Sequence, residues 1–149
     1  MTAITLRSAS STPLTHQNVD DNFTHLKDDK CGTTTAADGG IVTQDTSKTT
    51  AVTLNKVCGL IKMEETGDIA SNGIVSFVFN NSKIAATDMI AITHVSGDTL
   101  GDIFVQCVAT GGSTASVYVK NVSGATISAQ SSGAHITFRF TVIKATAGS

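Results

Sequence analysis

The chain has 149 residues and a formal net charge of -2, with ten basic and twelve acidic side chains dispersed along it. That size fits one domain with an appendage, able to bury roughly 68–70% of its unfolded surface without metal or disulfide staples. The scattered Lys and Arg argue against a phosphate-neutralising face, so nucleic acid is not an expected partner.

Residues 1–12 begin with a short alternation in which Ile4 and Leu6 are apolar, and Arg7 to Thr12 are small or polar. Five alternating residues are too few for an independent strand, but they could add to the sheet edge of a partner. We read 1–12 as an extended arm.

Residues 13–30 carry the signals of an amphipathic helix. Thr15 is a good N-cap, and Leu14 and Val19 take the N′ and N4 positions of a hydrophobic staple. Asp20 and Asp21 lie near the end where the helix dipole favours anions, while Lys27 and Lys30 lie near the other. Val19, Phe23 and Leu26 fall at i, i+4 and i+7, one narrow apolar stripe. A helix this short is marginal alone in water, so the stripe calls for a cover. That cover is either the chain's own β domain or other chains.

Residues 31–40 are small, polar and end in two glycines, the composition of a linker. From residue 41 to 149 the pattern changes to short apolar–polar alternations. Strands are expected at 41–45, 50–57, 59–64, 73–80, 88–96, 102–109, 114–121 and 135–145. Val75, Phe77 and Phe79 should share one face, as should Ile103, Val105 and Cys107, and Ile136, Phe138, Phe140 and Val142. Val117 and Val119 should oppose Tyr118 and Lys120. Asn72-Gly73, Gly97-Asp98, Gly111-Gly112 and Ser123-Gly124 mark turns between them. Strands at this spacing read as a mainly β fold, a jelly-roll-like or Greek-key sandwich of about seven or eight strands, or a small barrel. FVFNNSK and VYVKNVS each run a strand into an Asn-x-Ser turn, which we read as repeated turn chemistry rather than duplication.

No arrangement of residues announces catalysis. Serines are abundant, but none sits in a nucleophile elbow, and no glycine-rich loop matches a phosphate cradle. His16, His25, His94 and His135 form no pair at metal-ligand spacing. Glu64, Glu65 and Asp68 surround a turn at Gly67 but lack the regular spacing of a Ca²⁺ loop, so an exposed polar turn is expected. We therefore expect no enzyme, no metal and no cofactor. Cys31, Cys58 and Cys107 are an odd count with no C-x-x-C spacing, which fits a protein made in a reducing cytoplasm. No apolar run is long enough to span a membrane, and none is an expected partner. The one place where an aromatic and a cation share a polar strand face is Tyr118 with Lys120, the expected surface-recognition candidate.

The segment Leu6-Arg7-Ser8, then Leu14-Thr15, Val19-Asp20, Asn22-Phe23 and Leu26, resembles one common at the start of bacteriophage virion proteins of the tail-fibre type. The stretches VTQDTSKTTAVTLNKVCGLIKM, NSKIAATDMIAI and FTVIKA also look like a phage β domain. The resemblance implies a non-enzymatic virion component, a homotrimer made in the host bacterial cytoplasm and placed on the capsid surface or tail. Its partners would be sister chains and the major capsid protein or tail and adaptor proteins. The short β domain, without a shaft or large tip, suits a capsid decoration, cement or head-fibre protein better than a long fibre. Ile4, Leu6, Leu14, Val19, Phe23 and Leu26 would form the assembly interface, and a short tail fibre or fibre adaptor is the alternative.

Overall fold

The computed structural model describes residues 39–131 and 133–145. The expected arm and helix, with the assembly residues Ile4, Leu6, Leu14, Val19, Phe23 and Leu26, lie outside the described residues. The described part is mainly β: eight strands in two sheets, with no helix among the described residues.

The strands are β1 (Ile41–Thr43), β2 (Val52–Thr53), β3 (Cys58–Lys62), β4 (Ile74–Asn80), β5 (Met89–Ser96), β6 (Ile103–Gly111), β7 (Thr114–Asn121) and β8 (Thr137–Ile143). Sheet A has the order β1-β3-β8-β5, and sheet B the order β2-β4-β7-β6. β1 with β3 and β2 with β4 are parallel pairs, and the other four pairings are antiparallel. Only the β6–β7 hairpin stays within one sheet, so every other connection carries the chain from one sheet to the other.

Period-two alternation turns one side of each sheet inward. Ile61, Phe138, Phe140, Val142 and Ile90 of sheet A meet Phe77, Phe79, Val117, Val119 and Cys107 of sheet B in one buried cluster. Phe79 and Phe140 join the layers directly, edge to face, with ring centroids 4.8 Å apart. Each such side chain contributes roughly 1.5–3 kcal/mol by leaving water. The sandwich-like core thus follows from the alternation seen in the sequence.

Polar side chains hold the ends of the sandwich. Asn121 is completely buried at the end of β7. Its side-chain N–H₂ faces the carbonyls of Ile69, Ala70 and Ala125 at 2.9, 3.1 and 2.6 Å, and its Oδ1 accepts from the Ser123 backbone N–H at 3.0 Å. Asn81, just past β4, does the same work. It donates to the Lys56 carbonyl at 2.7 Å and accepts from the Lys83 N–H at 2.9 Å. The Asn-x-Ser echo in the sequence is therefore a repeated Asx turn, made at Asn81 rather than Asn80 in the first copy.

Candidate functional site

Three places gather polar or exposed apolar side chains. The first is the outer face of sheet B. Register stacks its outward residues in rows across β4, β7 and β6: Ile74–Lys120–Phe104, Ser76–Tyr118–Gln106 and Val78–Ser116–Val108. Tyr118 and Lys120 share this face as the alternation requires, with Tyr118 in the middle row and 44% exposed. The face around them is not polar, however. Ile74 is 63% and Phe104 58% exposed, and Val78 and Val108 are exposed as well. Lys120 is the only charged side chain in the nine positions. The signal was present in the sequence, in the near-continuous apolar runs Ile74–Phe79 and Ile103–Val108, but alternation assigns only half of each run to the core.

The second place is the seam between β5 and β6, the last strands of the two sheets. A cleft of about 330 Å³ opens there, lined by Ile92, His94, Leu100, Ile103, Phe104 and Val105 among others. His94 projects inward at a bulge in β5. Its Nε2 lies 3.0 Å from the Ser96 carbonyl and 2.5 Å from that of Gly97, so Nε2 carries a proton and donates. Its Nδ1 is buried without a hydrogen-bond partner. An orphaned acceptor of this kind costs about 1–3 kcal/mol.

The third place is the turn at Glu64–Asp68. Lys48, from the β1–β2 loop, is buried there and donates through Nζ to the carbonyls of Glu64 at 2.6 Å and Thr66 at 2.8 Å. Burial lowers its pKa, and the nearby Glu64, Asp68 and Glu65 carboxylates push the other way. The ammonium is thus held by main-chain oxygens of the turn. The carboxylates are also committed elsewhere: Glu65 accepts from the Gly133 N–H at 2.5 Å, and Asp68 from the Ala129 N–H at 2.8 Å. His135 donates through Nδ1 to the Met63 carbonyl at 3.0 Å, and its Nε2 lies 3.2 Å from Glu65 Oε1. The turn is therefore a polar clasp: Thr66, Gly67 and Asp68 are exposed, as the sequence led us to expect, and Glu64 and Glu65 are half-buried. Nothing in the sequence pattern distinguished Lys48 from the other lysines.

Among the described residues no three His, Cys, Asp or Glu side chains converge in a way that could hold a metal ion. No helix among them is long and apolar enough to cross a membrane. Comparison with family models, with curated proteins and with solved structures finds no match.

Proposed function

We propose that the chain is a structural protein of a bacteriophage virion, a homotrimer that decorates the capsid as a cement or head-fibre protein. The observation that carries this reading is the N-terminal pattern Leu6-Arg7-Ser8, Leu14-Thr15, Val19-Asp20, Asn22-Phe23, Leu26, which resembles the leading segment of such proteins. Ile4, Leu6, Leu14, Val19, Phe23 and Leu26 attach the chain to its sisters and to the major capsid protein. The β domain is what they attach. Its alternation of the chain between two sheets supports the jelly-roll-like or Greek-key reading of the fold. A cyclic trimer matches the threefold positions of a capsid lattice, and three weak arms on one trimer bind far more tightly than one. The apolar outer face of sheet B supports a life within an assembly, since a freely diffusing domain gains nothing from it.

The test uses the full-length chain carrying Val19→Asp and Phe23→Asp together. We expect it to lose trimers and to be absent from purified particles, with the melting of the β domain unchanged. Full occupancy on particles would end the proposal.

A short tail fibre or fibre adaptor is the second reading, favoured by the tail-fibre character of the same segment and by the accessible Tyr118. Labelled antibody on intact particles separates the two by marking head or tail.

A further inference from the structure

Sheet B carries more apolar surface than its own fold uses. β4 reads Ile-Val-Ser-Phe-Val-Phe and β6 reads Ile-Phe-Val-Gln-Cys-Val. Runs this continuous belong to strands that are covered on both faces, whereas a sheet with one wet face alternates cleanly. Sheet A also turns Ile41, Leu60, Met89 and Ile143 outward, but it sets two charges, Lys62 and Arg139, among them. The strands at the sheet edges differ in the same way. β1 and β2 are three and two residues long, and β5 is bulged near its end. β6 is nine residues long, without a charge or a proline, and regular from Ile103 to Ala109. Edges are normally blunted by shortness, bulges or charge, and β6 lacks such protection over most of its length.

We propose that the outer face of sheet B is a self-association surface, on which a second copy of the chain packs face to face about a twofold axis. Charge selects the axis. Face-packed sheets keep their strands within about 30° of each other, which leaves a twofold running either along the strands or across them. An axis along the strands sets Lys120, the only charge on the face, against its own copy. An axis across the strands, through the row of Tyr118, reverses the rows instead. Lys120 then lies over the hydroxyl of Ser116, Ile74 over Val78, and Phe104 over Val108, while the Tyr118 rings meet at the axis. Every apolar side chain meets an apolar one, and the cation meets a neutral polar group.

Size sets the strength. Three strands spaced ~4.8 Å, each seven residues at ~3.3 Å, make a face of about 14 by 23 Å, or ~330 Å² in plan. A standard stable interface takes about 800 Å² from each partner, so the pairing is weak and concentration-dependent. It is carried by residues 74–120 and does not depend on the N-terminal segment. A chain already trimeric shows it as a further step of association, and a monomeric chain shows it as a dimer.

The experiment is site-specific cross-linking of the full-length chain in a Cys31→Ser background; Cys58 and Cys107 are buried. Facing sheets lie ~10 Å apart, beyond the ~7 Å Cα separation a disulfide can bridge, so the probe is a short bismaleimide. Ser76→Cys and Gln106→Cys lie in the axis row and should each link to their own copy, increasingly so with protein concentration. Ile74→Cys, about 13 Å from its copy along the strand direction alone, should not. Val108→Lys added to Ser76→Cys should weaken association by about tenfold or more, since it sets a charge against Phe104 of the second copy. Its melting temperature should not move. Equal linking at 74 and 76 overturns the proposal. So does no linking by thiols shown to be reactive, or sedimentation independent of concentration, the result expected if a glycan or another protein covers the face instead.

Discussion

The side-chain amide of Asn121 lies 2.9 Å from the carbonyl of Ile69, fifty-two residues earlier in the chain. Ile69 is a lone bridge to Ile127, outside the named strands, so this contact ties an irregular segment to the end of β7. Asn121→Ala removes the amide donor from the Ile69, Ala70 and Ala125 carbonyls, which keep only the Ile127 N–H, the Gly73 N–H and the Ser123 hydroxyl. The expected loss is roughly 2–4 kcal/mol, from several hydrogen bonds at about 1 kcal/mol each. Urea unfolding at unchanged slope measures it. A loss below ~0.5 kcal/mol would mean that water replaces the amide.

Gly97 is the second place where one atom decides stability. It has φ +77°, and a Cβ there would lie 2.1 Å from the carbonyl oxygen of His135. His135 cannot easily retreat, because its ring is held by the Met63 carbonyl and Glu65. Gly67, at φ +80°, has nothing within 4 Å of the same position and is the natural control. Gly67→Ala should cost only the left-handed backbone strain, about 1–2 kcal/mol. Gly97→Ala should cost that and a further ~1–3 kcal/mol for the clash. Equal losses at the two positions would show that the His135 loop yields freely.

The strands were legible because alternation is a local property. All eight expected segments overlap a strand, with β3 starting one residue before its segment and β6 ending two residues after, and Thr114–Asn121 matches to the residue. The weakest, expected over 50–57, shrinks to Val52–Thr53, since its chain soon turns away through Leu54 and Lys56. Pairing was not legible. Nothing near Ile41 announces a parallel partner at Leu60, because register is set by which faces must meet in the core. The candidate face was half legible. Tyr118 and Lys120 were placed on the right side of β7, but Phe104 was not seen beside Lys120, because adjacency across strands has no local sequence signal.

Asp88 supplies an acid-sensitive lock. Its Oδ2 accepts from Lys144 Nζ at 2.6 Å and from the Ala85 N–H at 2.7 Å, and its Oδ1 from the Ala145 N–H at 3.2 Å. The hydrogen bond from Lys144, followed by that from Ala85, holds the carboxyl below its ordinary 3.8, against a smaller opposing effect of burial. A depressed carboxylate contributes stability above its unfolded value and loses it as pH falls through the folded one. Asp88→Asn should therefore lower the melting temperature at neutral pH and make little difference once the solution is acidic enough to protonate the native carboxyl. An equal deficit at both pH values would assign the effect to shape rather than charge.

Cys107 behaves in the opposite sense at the alkaline end. Burial among Ile103, Val117 and their neighbours pushes its thiol from 9.0 up to about 12. The thiolate is the reactive form, so native Cys107 should resist alkylation in mildly alkaline solution and react promptly once the chain is unfolded; peptide mapping reads this site by site. The same shift ties stability to pH. Below 9.0 both states keep the proton and the contribution is complete, and between 9.0 and about 12 the unfolded thiol ionises first and stability falls. Lys48 works against this trend, because its lowered native pKa makes stability rise as pH climbs toward its unfolded 10.5. The readout is therefore a difference between two proteins. Cys107→Ala should start less stable than the parent, and the gap should narrow above pH 9.0. A gap that stays constant across the alkaline range would show that the thiol reaches solvent in the native sheet.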